Sequence, residues 1–302
     1  MSAPLLEVEK LDVAIPIRGG GAPILREVSF QIMPGETYGL VGESGSGKSV
    51  TSLAIMGLLK KPLKVTGGRI GFQGRDLLRL SRREMRNLRG DRVAMIFQEP
   101  MTALNPLATV GRQIAEMYVL HQGKSWAEAG RLAIEALDSV RVPNPEGRAG
   151  NYPHQMSGGL RQRVMIAMAL ACDPDLLIAD EPTTALDVTV QAEVLRLIKD
   201  LCAERGTAGL FISHDLGVIA EICQRVGVMY GGCLVEENET TALFSDPQHE
   251  YTRGLLGALP RLGSRKAHGR QRLVDIDSII EDRSVLTRTR FIAPRPTEER
   301  PG

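Results

Sequence analysis

The chain has 302 residues, 43% hydrophobic and 24% charged, with 37 Lys/Arg against 36 Asp/Glu and a net charge of +1. This balance excludes disorder throughout and leaves no basic footprint for a nucleic-acid partner. No apolar run reaches the roughly 20 residues of a spanning helix, and residues 1–10 have neither a basic start nor a continuous apolar stretch, so the chain is expected to be neither exported nor membrane-integral by its own sequence.

Length allows about two domains of roughly 150 residues, or one large domain with an accessory piece. The cysteines, Cys172, Cys202, Cys223 and Cys233, stand far apart, match no metal or disulfide framework, and read as reduced thiols.

The first informative stretch is Gly35-Glu-Thr-Tyr-Gly-Leu-Val41, which predicts a turn and a short buried strand. It runs into Gly42-Glu-Ser-Gly-Ser-Gly-Lys-Ser49, a P-loop at every fixed position. Its glycines let successive N–H groups curl toward phosphate, and the helix predicted to follow, through Met56, adds a positive N-terminal end. Gly42, Glu43, Ser44, Gly45, Ser46, Gly47, Lys48, Ser49 and Val50 are therefore the expected nucleotide-binding residues, with Lys48 for the β/γ-phosphates and Ser49 for Mg²⁺. The loop by itself does not separate a kinase, a GTPase, a motor and a transport ATPase.

Further along, an apolar strand over 93–97 precedes Gln98, and Val142-Pro-Asn-Pro-Glu-Gly147 is a breaker cluster expected to separate helices. In Tyr152-Pro-His-Gln-Met-Ser-Gly-Gly-Leu-Arg-Gln-Arg-Val164, Ser157 can cap an apolar helix running to Leu170, and Gly158 and Gly159 would let a phosphate approach its first amides. Asp175-Leu-Leu-Ile-Ala-Asp-Glu-Pro182 predicts a strand buried on both faces and ending in two acids. Successive strand residues point to opposite sides, so the acids take different roles: Asp180 toward Mg²⁺, Glu181 toward the attacking water. Residues 261–302 hold ten Lys/Arg and six Asp/Glu, a net of +4, leaving 27 basic and 30 acidic residues, a net of −3, in 1–260. With a Pro-rich charged end, this tail is expected to be a partly disordered extension beginning near Pro260.

Taken together, these motifs resemble the ATP-binding cassette ATPases, the segment 152–164 being similar to their signature sequence. The likeness spans about residues 5–260. It implies an α/β P-loop NTPase cassette with a mixed-sheet core, an antiparallel β-subdomain and an inserted helical subdomain. The expected boundaries are core 1–97 and 171–240, helical subdomain 98–170, cassette 1–260 and extension 261–302. In that family the signature meets the γ-phosphate bound to the opposite subunit, so Ser157, Gly158 and Gly159 imply a second cassette, whether a related chain or a second copy. By the same resemblance Gln98 contacts Mg²⁺ and the lytic water, Asp187 of Ala185-Leu-Asp187 lies on the loop crossing the dimer interface, and His214 senses the γ-phosphate. Glu181, His214 and Gln98 are then the catalytic set, and Ser49, Gln98 and Asp180 the metal set.

Glu99-Pro-Met-Thr-Ala-Leu-Asn-Pro106, Val110-Gly-Arg-Gln-Ile-Ala-Glu116 and Asp246-Pro-Gln-His-Glu-Tyr-Thr-Arg-Gly-Leu-Leu256 resemble the peptide/nickel importer group, most of all its dipeptide/oligopeptide ATPase subunit. That implies ATP hydrolysis driving peptide import from the cytoplasmic face of the inner membrane, as a peripheral subunit. The implied partners are two permeases, a second ATPase and an external solute-binding protein, with no nucleic acid. Residues 99–105 are the candidate for docking the permease. Nickel or another small solute is the alternative cargo; a soluble cassette ATPase of translation or DNA repair and a small-molecule kinase are the rival classes. The sequence departs from the family in three places. Leu160 replaces the usual polar or Met residue of the signature. Ile15 stands where an aromatic commonly stacks on adenine. Residues 261–302 contain no cysteine, so the iron–sulfur cluster of some relatives is not expected.

Overall fold

A strand without polar alternation is stable only where both its faces are covered, and three segments of this chain read that way. The computed structural model describes residues 3–17, 20–98, 103–183 and 188–257, without the side chains of 188–190. Its strands are β1 (Leu6–Ile17), β2 (Gly20–Ile32), β3 (Thr37–Val41), β4 (Lys64–Phe72), β5 (Arg75–Asp76), β6 (Val93–Ile96), β7 (Leu176–Asp180), β8 (Ala208–Ser213), β9 (Arg225–Tyr230) and β10 (Cys233–Glu239). They form two sheets. One is antiparallel, in the order β2-β1-β4-β5. The other runs β10-β9-β3-β8-β7-β6, parallel from β9 to β6 with β10 antiparallel at its edge.

Every residue of β3 and β7 is buried. Their period-2 alternation divides the core. Leu40, Leu176, Ile178, Leu210 and Ile212 face a cluster shared with the antiparallel sheet and α1 (Lys48–Ile55). Val41, Leu177, Ala179 and Phe211 face the opposite cluster, built with the remaining helices.

After α2 (Arg82–Leu88), helices α3 (Val110–Gln122), α4 (Trp126–Ser139), α5 (Pro145–Ala149) and α6 (Gly158–Leu170) lie between β6 and β7 in the chain. Local chemistry sets their ends. Thr109 and Ser125 accept from the third residue of α3 and α4, and Gly123 closes α3 in the left-handed region at φ 66°. The breaker cluster ends α4 before it and starts α5 inside it, with Pro145 in the first turn and Asn144 accepting from the Gly147 N–H. Val110, Ile114, Ala133, Leu137 and Val164 then pack as one apolar centre. Helices α7 (Val188–Arg205), α8 (Leu216–Ile222), α9 (Thr240–Ser245) and α10 (Glu250–Gly257) are the remaining helices among the described residues.

Residues 184–187, 99–102 and 258–302 lie outside the described residues; they include Asp187, most of the candidate docking segment and the whole C-terminal extension.

Candidate nucleotide site

The loops leaving β3, β8, β7 and β6 emerge side by side at the carboxyl end of the parallel strands, where open α/β sheets gather their ligands. The P-loop leaves β3, His214 follows β8, Asp180 and Glu181 end β7, and Gln98 follows β6. Chain order scatters these residues over more than a hundred positions. Strand order makes them neighbours.

The loop from β3 to α1 depends on its glycines. Gly42 has φ 149° and Gly47 φ 107°. A Cβ on Gly42 would collide with the Met229 carbonyl and the Ser46 hydroxyl, and one on Gly47 with Leu25 of β2. The loop thus lies against both sheets with no room for a side chain at either position. Lys48 is buried, and its Nζ donates to the carbonyls of Gly42 at 2.7 Å and Glu43 at 2.8 Å. Burial lowers its pKa, while the carboxylates of Glu181, Asp180 and Glu43 act in the opposite direction. The direct hydrogen-bond partners of Lys48 among the described residues are two carbonyls and, at 3.4 Å, the Ser46 hydroxyl, with no carboxylate in the set, so the cation is poised for a stronger anionic partner.

Asp180 is also buried. Its Oδ1 accepts from Ser49 Oγ at 3.0 Å and its Oδ2 from Ser52 Oγ at 3.2 Å. Burial raises its pKa, and the two serine hydrogen bonds pull it back. Ser52 was not foreseen from sequence; its signal is the i, i+3 spacing from Ser49, which puts both hydroxyls on one face of α1.

Glu181 takes a left-handed conformation, φ 45°, and its N–H donates to Ile212 O at 2.9 Å, tying the end of β7 to β8. The carboxylate then stands between two groups on the flanking loops. Gln98 Nε2 donates to its Oε2 at 3.0 Å, and His214 Nδ1 lies 3.5 Å from its Oε1.

Ser157 and Ile15 are placed differently. Ser157 caps α6, its Oγ accepting from the Leu160 N–H at 3.4 Å, and is exposed; Gly158 and Gly159 are half-buried behind it. Its hydrogen bonds among the described residues stay within that helical turn. Leu160 packs its side chain against the helical core, which accounts for an apolar residue there. Ile15 pairs with Ala22, two residues beyond Val13, whose partner Leu25 closes on Gly47.

The residues expected to hold a metal offer oxygens: Ser49 Oγ, the Asp180 carboxylate and the Gln98 amide. Among the described residues no group of three or more His, Cys, Asp or Glu is arranged to hold an ion by itself. One carboxylate and one hydroxyl instead fit Mg²⁺, which keeps waters and takes its other ligands from substrate phosphates.

A glycine cradle with an embedded lysine, and a buried acid held by the serine after that lysine, define a P-loop nucleotide-binding protein. The family model for ABC transporters matches residues 25–184, and the chain belongs to that family as an ATP-binding ATPase cassette. A second model, for the C-terminal region of oligopeptide/dipeptide transporters, matches residues 235–281. A probable peptide ABC transporter ATP-binding protein of Sinorhizobium fredii is 54% identical over 91% of this chain and 82% of its own. The dipeptide transport ATP-binding protein DppD of Bacillus subtilis is 51% identical over 85% and 77%, and the oligopeptide transport ATP-binding protein OppD of Salmonella typhimurium 51% identical over 87% and 78%. Among solved structures, the dimeric cassette MJ0796 bound to ADP and Pi superposes with a TM-score of 0.70 at 27% identity, covering 78% of this chain and 98% of that one. The fold expected from the sequence, a mixed sheet with a separate antiparallel sheet and helices, is the one observed.

Proposed function

We propose that this chain binds and hydrolyses ATP, with Mg²⁺, as one of two facing ATPase subunits that drive import of di- or oligopeptides through a membrane permease. The observation that carries the chemistry is the convergence at four adjacent strand ends: Lys48 in its loop, Ser49 on Asp180, and Gln98 and His214 on Glu181. Relatives about 50% identical along most of the chain, named for dipeptide and oligopeptide transport, support the cargo.

In this reading the P-loop amides and Lys48 hold the β/γ-phosphates, Lys48 exchanging two carbonyls for phosphate oxygens. Ser49, Asp180 and Gln98 would hold Mg²⁺, which when bound neutralises charge developing on the phosphates. Glu181 orients the attacking water and accepts its proton, with Gln98 and His214 fixing its carboxylate. His214 reaches the γ-phosphate, and Ile15 covers the adenine. The facing subunit's counterparts of Ser157, Gly158, Gly159 and Asp187 complete the charge stabilisation, so hydrolysis occurs only in the closed pair. We assign 1–260 to the cassette, 98–170 to its helical subdomain, and residues 99–105 to permease docking. Among the described residues no helix is long and apolar enough to cross a membrane. A peripheral position on the cytoplasmic face, against two permeases and served by an external solute-binding protein, accords with that.

Uptake of labelled di- and oligopeptides by cells lacking this chain tests the assignment. Peptide uptake should disappear and return with the wild-type chain but not with Lys48→Ala. Peptide uptake intact with nickel uptake lost would replace the cargo.

A further inference from the structure

The sequence motifs leave α10 and the turn before it without a part in hydrolysis. That segment reaches the P-loop. Tyr251 is fully buried, 208 residues from Glu43 in sequence, and its hydroxyl accepts the Glu43 N–H at 3.1 Å.

The tyrosine is held firmly. Its ring packs on Tyr230 with centroids 4.4 Å apart. Its own N–H donates to His249 Nδ1 at 3.1 Å. The turn is anchored in turn by Glu236, a buried carboxylate whose two oxygens accept the N–H groups of Gln248 at 2.8 Å and His249 at 3.0 Å. These groups place one hydroxyl at one amide of the phosphate loop.

That amide belongs to the Gly42–Glu43 peptide. In a trans peptide the C=O and N–H point in opposite directions, so the unit is gripped from both edges: Lys48 Nζ on the carbonyl, Tyr251 on the N–H. On the reading of Lys48 above, nucleotide draws the lysine away and the carbonyl loses its cation. The grip on the other edge is untouched. We propose that Tyr251 is a positioning residue for nucleotide binding, holding the first peptide of the phosphate loop in place when Lys48 leaves it. Gly42 precedes this peptide and resists its rotation weakly. A loop whose first peptide rotates is competent only part of the time, and apparent affinity falls by that fraction. The inference rests on the P-loop binding ATP.

The test compares ATP and ADP affinity, and the steady-state split between KM and kcat, in wild type and Tyr251→Phe, which keeps the ring and removes the acceptor. One neutral hydrogen bond corresponds to about a threefold to tenfold change. Affinity for both nucleotides should weaken by that factor and KM should rise with it, while kcat at saturating ATP changes less than twofold. In a Glu43→Pro background, which lacks the N–H, Tyr251→Phe should cost nothing further. Unchanged affinity in Tyr251→Phe, or an equal loss in the Glu43→Pro background, overturns the inference. Hydrogen exchange in the wild-type protein tests it without a variant: the Glu43 amide should be protected, and exchange at the rate of an open amide overturns it. Wild type that binds no ATP would overturn the nucleotide reading and this inference with it. Wild type that binds ATP as well as Tyr251→Phe does overturns this inference alone.

Discussion

Ser49 and Ser52 meet Asp180 because α1 turns them to one face and the end of β7 comes directly opposite. The single proton of Ser52 Oγ is shared between the Ser49 carbonyl at 2.9 Å and the buried Asp180 carboxylate at 3.2 Å, so Ser52→Ala should lower unfolding free energy by about 1 kcal/mol in denaturant titration, less than a full hydrogen bond to a charged group. Lys48→Ala should weaken ATP binding at least tenfold by equilibrium titration if, as proposed, Lys48 pairs with the phosphate chain. The P-loop and the paired acids were legible in the sequence because their chemistry needs fixed local spacing: glycines where no Cβ fits, a cation before a hydroxyl, two acids after an apolar strand. Ser52 and Tyr251 were not. Neither has a local signature that separates a partner of the site from an ordinary helix residue, and Tyr251 meets the loop only through the fold.

At the scale of elements, α6 is capped by Ser157, whose Oγ accepts the Leu160 N–H at 3.4 Å. Removing it by Ser157→Ala should cost about 1 kcal/mol of stability. If the residue also faces the γ-phosphate of an opposing subunit, ATP turnover should fall more than tenfold while nucleotide binding is unchanged; a loss of turnover no larger than the loss of stability would reduce Ser157 to a cap. The turn before α10 carries a pH dependence. Burial lowers the pKa of His249, against Glu236 and Glu250 and with Arg253. Its neutral Nδ1 accepts from Tyr251, so the folded state favours the unprotonated ring. Its contribution is complete above the unfolded pKa of about 6.5 and declines as pH falls below it, because the unfolded chain takes up the proton first. Melting temperature followed from pH 8 to 5 should show this decline, reduced in His249→Asn, which keeps an acceptor that does not titrate in that range. The strands before the P-loop, Gln98 and Asp180 were legible as apolar runs; β8, which precedes His214, was not read as one. The β1–β2 hairpin was not, because register shifts at Val8/Leu11 and Leu11/Val13 break the alternation by which a strand announces itself.

For the whole molecule, a cassette with one phosphate loop and one signature-like segment is, on the proposed reading, one of two facing ATPase subunits. The sequence could carry this only by resemblance, since no spacing within one chain states that two chains must face each other. On the proposed function, hydrolysis at Glu181 powers peptide import. The direct measurement is peptide accumulation and ATP consumption in vesicles holding the full complex, with wild type and Glu181→Gln compared. Wild-type vesicles should accumulate peptide and consume ATP faster when loaded binding protein is supplied, whereas Glu181→Gln should bind ATP, hydrolyse it at least a hundredfold more slowly and accumulate none. Wild-type rates of hydrolysis and accumulation in the Glu181→Gln complex would show that Glu181 does not drive import.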